Sequence, residues 1–402
     1  MKSLVIIFRR VAGWLGMAIM LATLAACGTL SRMDLDVDNA SSERYAISGD
    51  LRKEVDALAQ PLIEKGTTPG LVVGVMLPDG SMQSFGYGTT EHTMSGHRPD
   101  GDTLFAVGSV SKGFLSATTA VLVQQGVFAW SDTLEQLLPP GTPLSASARK
   151  ITLLQLVTHT SGLPRQPFTP QTLLYFVEYL FTGNSFYRHF DRDYLLAYLA
   201  DFDAPATMAP NYSNIGYGLL GHVLELRTGK KMDVLVNDTI LQPLALDRTG
   251  YHPQGLPGFA ARAHGHVGDQ PKFMRRGREA PDWEFTDVLT GSAALYSTAN
   301  DLLRYARVNI RGSDDSVLDR AFRDTLSVRV DRPLEAAALA WLVDDIDGNK
   351  ITYQVGFVAG YSSYIGLDLK NRTGVVVLQN SFNWTNSIGH RLLLRISKRK
   401  SI

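Results

Sequence analysis

Strand-forming segments occur near both ends of this chain, and this arrangement most constrains its fold. Near the N-terminal end, "LVVGVMLPDGSMQSFGYG" predicts two strands around a Pro78-Asp79-Gly80 turn. Near the C-terminal end, four β-branched and aromatic runs are separated by turns such as Asp347-Gly348: "ALAWLVDD", "KITYQVGF", "YSSYIGLDL" and "GVVVLQN". Strands at both ends with helices between them predict an α+β fold, an α/β sandwich in which one antiparallel sheet from both chain ends is flanked by helices.

Between these strands, residues from about 130 to 290 show mostly helical spacing and long loops, which predicts an inserted helical region. Helices are also predicted for "DLRKEVDALAQPLIEKG", ending at Gly66, for "IGYGLLGHVLELRTG", with Gly229 as its C-cap, and for "IGHRLLLRIS". Residues 252–288 are rich in Gly, Pro and charge without a clear period, and we expect a surface excursion there. One domain should therefore span residues 49–398.

The first 27 residues have the composition of a secretory signal. "MKSLVIIFRR" is basic, and "VAGWLGMAIMLATLAAC" is apolar and uncharged. "LAAC" resembles the bacterial lipobox, whose cysteine is diacylated and becomes the mature N-terminus; Cys27 is also the only cysteine of the chain. We expect a lipoprotein signal at 1–27, a polar tether at 28–48 and a periplasm-facing protein, with an uncleaved anchor or a soluble cytoplasmic form as the alternatives. Gly28, where an Asp often retains lipoproteins at the inner membrane, favours the outer membrane.

Composition excludes one class of partner. The formal net charge is zero and no basic patch dominates, so we expect no nucleic acid partner. The chain is 45% hydrophobic and 19% charged, which is ample for a large folded core.

Ser109 and Lys112 lie three residues apart at the start of a predicted helix, "SVSKGFLSATTAVLVQQ". Residues at i and i+3 share one face of a helix, and a desolvated Lys can lose its proton and activate a hydroxyl. The S-x-x-K pattern recurs at Ser147–Lys150 and Ser397–Lys400, but only the first pair is embedded in small and apolar residues. The alternative is a helix cap with a surface Lys.

Two further segments are candidates for the same chemistry. Tyr212-Ser213-Asn214 is the only Tyr-x-Asn among 15 tyrosines. A Tyr hydroxyl can relay protons and an Asn amide can hold both a Lys and a substrate amide; the alternative is a turn in which Ser213 or Asn214 caps a helix. The strand segment "TYQVGFVAGYSSYIG" turns at Gly360, and its edge can offer backbone hydrogen bonds to a substrate, or it is an ordinary hairpin.

Together these segments resemble the serine β-lactamase and penicillin-binding-protein family, in its class C and DD-peptidase-like branch, which includes related esterases. The resemblance also rests on "ITLLQLVTHTSGLP", "YSNIGYGLLGHVLELRTGK", "LQPLALDRTGYHP", "GSAALYSTANDLLRYA" and "AGYSSYIGLDLKNRTGVVVLQNS", which follow in the family's order over residues 50–395. The resemblance implies that Ser109 is the acylated nucleophile, Lys112 its base and Tyr212 a second proton-transfer group. Asn214 would orient Lys112 and the substrate amide.

The family's third motif, Lys-Thr-Gly or His-x-Gly, falls on Gln354-Val355-Gly356. The resemblance implies an oxyanion hole made of the backbone N–H groups of Ser109 and Phe357, and a substrate-binding role for Gln354 and Gly356. The family's cation, which binds the substrate carboxylate, is absent, because Gln354 supplies no charge. We therefore expect weak β-lactamase activity with acyl transfer intact.

Other candidate residues are weaker. The resemblance places His159 in a structural loop. His264 and His266 form an H-x-H pair without further metal-spaced ligands, so we expect neither a metal nor another cofactor. The chain contains no G-x-S-x-G motif, so the sequence does not indicate an α/β-hydrolase.

The sequence thus predicts a serine acyl-hydrolase that works through an acyl-enzyme. The expected substrates are D-alanyl-D-alanine peptides of peptidoglycan, cleaved by carboxypeptidase or endopeptidase action, or β-lactams hydrolysed weakly. One alternative is an esterase of small esters. Another is a protein that binds penicillin or senses the cell wall without turnover.

Overall fold

The computed structural model describes residues 49–91, 96–205, 209–383 and 387–396. The expected signal, the lipidation site Cys27, the tether at 28–48 and the pair Ser397–Lys400 lie outside these residues. No helix within the described part of the chain is long and apolar enough to cross a membrane.

A seven-stranded antiparallel sheet forms the centre of the domain, and a separate two-stranded ribbon lies outside it. The strands are β1 (Gly70–Met76), β2 (Met82–Gly88), β3 (Phe105–Ala106), β4 (Tyr296–Ser297), β5 (Ala336–Ala337), β6 (Leu342–Ile346), β7 (Asn349–Val358), β8 (Tyr361–Asp368) and β9 (Thr373–Gln379). The order in the sheet is β2-β1-β9-β8-β7-β6-β5, and the ribbon pairs β3 with β4.

The pairing of β1 with β9 joins the two chain ends. Val72 lies opposite Leu378, and Val73 lies opposite Val377. Both faces of β1, β8 and β9 are buried, which explains their nearly continuous apolar sequences. The predicted α+β fold with one antiparallel sheet from both termini is confirmed.

Helices cover both faces of the sheet and fill the chain between β3 and β4. They are α1 (Leu51–Glu64), α2 (Ser111–Gln124), α3 (Leu134–Leu137), α4 (Ala146–Arg149), α5 (Leu153–Val157), α6 (Pro170–Thr182), α7 (Arg192–Ala200), α8 (Asn214–Thr228), α9 (Met232–Val236), α10 (Thr290–Ala293), α11 (Ala299–Arg311), α12 (Ser316–Leu326) and α13 (Ile388–Ile396). One face of the sheet packs with α1 and α13, and the other packs with α2 and α11.

Sequence chemistry explains several element ends. Asp347 and Gly348 both have positive φ, 51° and 79°, which is the backbone of a tight hairpin turn between β6 and β7. Ser213 caps α8, since its Oγ accepts a hydrogen bond from Gly216 N at 2.9 Å, and Gly229 ends the helix in the left-handed conformation. These turn and cap predictions are confirmed.

Two local predictions need correction. The helix expected from Ser109 begins only at Ser111, because Gly108 has a φ of 52° and starts a 3-10 turn over Gly108–Val110. Part of the 252–288 segment is buried rather than superficial. His266 N lies 3.0 Å from both Gly360 O and Asn380 O, so this segment covers the end of the β7–β8 hairpin.

Truncating a buried side chain in β9, the strand that pairs with β1, tests how far the stability of the domain depends on this part of the sheet. Leu378 is fully buried in β9. We expect Leu378→Ala to lower the free energy of unfolding by about 2–5 kcal/mol, since it leaves a cavity. Leu226→Ala, at a side chain 42% exposed on α8, should change it by less than about 0.5 kcal/mol. Urea denaturation of both variants checks this, and equal losses would contradict it.

Candidate active site

Ser109 lies on a short turn that presses against the edge of β7. Gly108 and Gly356 permit this contact: a Cβ at 108 would lie 2.9 Å from Phe357 N, and a Cβ at 356 would lie 2.0 Å from Val107 O. Within residues 103–122, only Ser109 is not buried. The fold therefore exposes one hydroxyl from an otherwise closed segment.

The same contact brings the two expected oxyanion donors together. A Cβ at Gly356 would lie 2.9 Å from Ser109 N, and one at Gly108 would lie 2.9 Å from Phe357 N. The pairing of β6 with β7 ends at Tyr353, so the edge of residues 354–358 faces the Ser109 turn instead of another strand. Backbone N–H groups on this edge are placed to meet a carbonyl oxygen bound beside Ser109.

Lys112 is buried, and its Nζ contacts three oxygens. It lies 2.8 Å from Asn214 Oδ1, 2.6 Å from Ser292 O and 3.2 Å from Ser109 Oγ. Burial holds the pKa of Lys112 well below its usual range, and the nearby Arg165 cation lowers it further. A neutral amine has two N–H groups, which Asn214 and Ser292 accept, so its lone pair is left for the Ser109 hydroxyl.

Tyr212 completes the group around Ser109. Its hydroxyl hydrogen-bonds with Ser109, and Lys112 Nζ lies 4.9 Å from the centre of its ring. Burial raises the pKa of Tyr212, against the opposing effects of Arg165 and of the Ser109 hydrogen bond. The phenol therefore keeps its proton at neutral pH, while Lys112 is the group that can accept one.

His159 holds the Tyr212 loop in place, which agrees with the structural role expected for it. Its ring stacks on Tyr212 with centroids 4.3 Å apart, and its Nδ1 accepts a hydrogen bond from Ser213 N at 3.0 Å. Its carbonyl accepts another from Asn211 N at 2.7 Å. Burial, with Lys112 and Arg165 nearby, holds the pKa of His159 well below its usual range, so the ring is neutral.

Arg165 is a site residue that the sequence reasoning missed. Its guanidinium carbon lies 4.2 Å from the centre of the Tyr212 ring, in cation–π contact, and its carbonyl accepts the N–H of Asn214 at 3.1 Å. It directly follows "THTSGLP", the segment that holds His159. The sequence signal that could have identified Arg165 is its position as a basic residue directly after the segment that holds His159.

Asn214 links Lys112 to an aromatic wall. Its Oδ1 accepts from Lys112, and its Nδ2 donates to the Tyr187 hydroxyl at 2.6 Å. Tyr187 packs against Trp283 and Phe285, with ring centroids 5.8 Å and 6.0 Å away. No sequence pattern predicted Tyr187, because it lies in the 3-10 turn Phe186–His189, 27 residues before Asn214.

Gln354 does not lie at the opening of the site. Its side chain is 3% exposed, and a Cβ at Gly113 would lie 2.3 Å from its Nε2. Neither amide atom has a hydrogen-bond partner among the described residues. The neutral amide is therefore packed against the backbone of α2, one residue after Lys112.

The remaining candidates lie elsewhere. Ser147 Oγ lies 3.2 Å from Asp203 Oδ1, and Lys150 is exposed. His264 pairs with Glu279, whereas His266 Nδ1 lies 3.1 Å from Asn380 O. Within the described ranges, no group of three or more His, Cys, Asp or Glu side chains could hold a metal ion.

A family model described as Beta-lactamase matches residues 55–396. The chain belongs to the β-lactamase family. The resemblance drawn from its motifs is confirmed.

Two curated relatives and one solved structure illustrate this family's range. Penicillin-binding protein 4 of Amycolatopsis lactamdurans is 29% identical over 262 residues, and the match spans 62% of this chain and 60% of that protein. D-alanyl-D-alanine-carboxypeptidase/endopeptidase AmpH of Escherichia coli strain K12 is 26% identical over 341 residues, 81% of this chain and 82% of that one. A class C β-lactamase from Rhodobacter sphaeroides shares the fold, with a TM-score of 0.69 at 23% identity over 85% of this chain and 98% of its own. This β-lactamase-family chain thus spans less than two thirds of the first relative's length.

The position of Arg165 predicts a pH effect. The rate with a neutral ester should rise with pH as Lys112 loses its proton. Arg165→Gln removes a cation that lowers the pKa of Lys112, so the acid limb of the kcat/KM profile for p-nitrophenyl acetate should move to higher pH.

Two variants control for the charge. Arg165→Lys keeps a cation and should keep the limb close to its original pH. Arg227→Gln removes an arginine that also lies over a ring, that of Phe128, but about 20 Å along α8 from Asn214. An unmoved limb in Arg165→Gln would show that Arg165 does not act on the base.

Proposed function

We propose that this protein is a serine acyl-hydrolase that works through an acyl-enzyme at Ser109. The observation that carries the proposal is the 3.2 Å contact between Ser109 Oγ and the Nζ of a buried Lys112. Lys112 accepts the hydroxyl proton as Oγ attacks a carbonyl carbon, and the N–H groups of Ser109 and Phe357 stabilise the developing oxyanion. The leaving group takes a proton through Tyr212 and Lys112, and water then releases the acyl group by the reverse path.

The proposed substrate is a D-alanyl-D-alanine peptide of peptidoglycan, cleaved by carboxypeptidase or endopeptidase action. An extended peptide can lie along the β7 edge at residues 354–358, where backbone hydrogen bonds supply affinity. The terminal carboxylate of such a peptide needs a cation, and Gln354 does not supply one. Arg165, beside Tyr212, is placed to supply it. Similarity to the E. coli carboxypeptidase/endopeptidase supports this assignment.

A small neutral ester is the second candidate substrate, and the burial of Gln354 favours it. An ester without a carboxylate needs no cation at the third motif, so the loss of the family's Lys or His would cost nothing. A third possibility is a protein that is acylated once and not released, as in penicillin binding or cell-wall sensing.

We also propose that the chain is acylated at Cys27 and faces the periplasm from the outer membrane. The support is "LAAC" at the end of an apolar segment, followed by Gly28. Such an anchor would keep the enzyme near its proposed peptidoglycan substrate.

Intact-mass measurement with three acyl donors tests the proposed function. The donors are penicillin, a peptide ending in D-Ala-D-Ala and p-nitrophenyl acetate, followed in parallel by product release. We expect steady release of D-Ala from the peptide and a covalent adduct with penicillin. Ser109→Ala should lose both, whereas Ser147→Ala, at the exposed S-x-x-K pair, should keep both.

The other outcomes separate the alternatives. Turnover of the ester with no release of D-Ala means an esterase. One equivalent of product without turnover means an acyl trap. Adducts that persist in Ser109→Ala would exclude Ser109 as the nucleophile.

The role given to Arg165 predicts a change in substrate preference. A hydrogen bond to a charged group contributes about 1.5–3 kcal/mol against about 0.5–1.5 for a neutral one. Arg165→Gln should therefore lower kcat/KM for the D-Ala-D-Ala peptide about 5- to 30-fold relative to p-nitrophenyl acetate. Both rates are compared on the high-pH plateau, where the Lys112 effect is absent. Equal losses for the two substrates would show that Arg165 does not bind the carboxylate.

A further inference from the structure

The outer side of α6 exposes a stripe of large apolar side chains. Leu174 is 68% exposed, Val177 43% and Phe181 63%. Their spacing of three and four residues places them on one face of the helix, while Tyr179 on the other side is buried. A helix packed on one side only normally presents polar residues on the other.

A second segment extends this stripe. The Phe273 side chain is 61% exposed, and its ring stacks on that of Phe181 with centroids 4.9 Å apart. Its backbone N donates to Leu180 O at 3.1 Å, which fixes the segment to the helix. We call Leu174, Val177, Phe181 and Phe273 the α6 face. It holds four of the ten strongly exposed large hydrophobic side chains of the described residues, so it is a continuous patch rather than scattered exposure.

Exposed cations lie close in the chain to Phe273 of the α6 face. Lys272 directly precedes Phe273, and Arg275, Arg276 and Arg278 follow it within five residues. Arg276 pairs with Asp269 at 3.3 Å. The other three have no ion-pair partner within the residues that the structure describes. The patch therefore combines apolar rings and aliphatic chains with uncompensated positive charge.

A second copy of the chain is a poor occupant for this surface. A two-fold interface places the same patch on both subunits, so two cationic patches would be brought together, at a cost in electrostatic free energy. An anionic bilayer suits both parts: apolar side chains enter the boundary between headgroups and acyl chains, and Lys and Arg meet the phosphates.

We propose that the α6 face and its cations dock the domain onto a bilayer that contains anionic phospholipid. The chain outside the described residues supports this. Only 21 polar and mixed residues, 28–48, separate Cys27 from the described domain. An acyl group at Cys27 would therefore hold the domain close to the surface that the α6 face contacts.

Docking there would also orient the active site. On the inner side of α6, Tyr179 packs edge-on against Phe186 and Trp283, with centroids 5.7 Å and 5.6 Å away. Trp283 in turn packs on Tyr187, whose hydroxyl contacts Asn214. The docked surface is thus the back of the aromatic wall that lines the site, which would set the cleft at a constant distance from the bilayer.

A fluorescent probe on the α6 face tests this in the full-length chain. Val177→Cys is labelled with an environment-sensitive nitrobenzoxadiazole dye and mixed with vesicles of phosphatidylcholine alone or with phosphatidylglycerol. The parent chain, taken through the same labelling, reports any dye on Cys27. Leu226→Cys is the matched control, because Leu226 is 42% and Val177 43% exposed.

We expect a shift of emission to shorter wavelength at position 177 with vesicles containing phosphatidylglycerol, and no shift at position 226. Lys272→Glu with Arg275→Glu, or high salt, should reduce that shift. Absence of a shift at 177, whether or not the protein floats with the vesicles, would overturn the proposal, as would equal shifts at both positions. A shift that needs no vesicles and grows with protein concentration would assign the α6 face to a second copy. The readout does not use hydrolysis, so it stands apart from the proposed activity.

Discussion

The burial of the Lys112 amine is the constraint on which the site depends. Burying an ammonium ion away from water costs free energy, and the two closest acceptors of Lys112 Nζ among the described residues, Asn214 Oδ1 and Ser292 O, are not carboxylates. Burial and the Arg165 cation lower the pKa of Lys112 and so favour its neutral form, which meets this constraint. The same contacts hold helices α2, α8 and α10 at one point, so the arrangement that permits burial also creates a base beside Ser109.

The loops around this amine are held mainly by backbone groups. The segment from His159 to Arg165 accepts hydrogen bonds from Asn211, Ser213 and Asn214. These hydrogen bonds therefore join two segments of the helical region that are about 50 residues apart, and Tyr212 lies in the second. The rings of His159 and Tyr212 stack, and this contact helps to hold the Tyr212 ring beside Ser109.

The positive charge in this site comes from a different position in the chain than the third motif, which supplies the cation in the family pattern. The third motif contributes backbone atoms and the small residue Gly356, while its first side chain, Gln354, is closed off under α2. The cation beside the nucleophile comes from Arg165 on a loop. A long side chain on a loop can reach a bound ligand from the solvent side, which gives access that a buried strand position lacks.

The sequence by itself determined the α+β class, the joining of both chain ends in one sheet, and the grouping of Ser109, Lys112, Tyr212 and Asn214. Apolar runs and turn residues are local signals, and the motifs carry the family's order. Only the tertiary structure decided the burial of Gln354. Alternation along β7 predicts that Gln354 and Gly356 lie on the same face of the sheet. It does not predict what covers that face. Likewise Arg165, Tyr187 and the buried part of residues 252–288 acquire their neighbours from segments far along the chain, and no local pattern encodes such contacts.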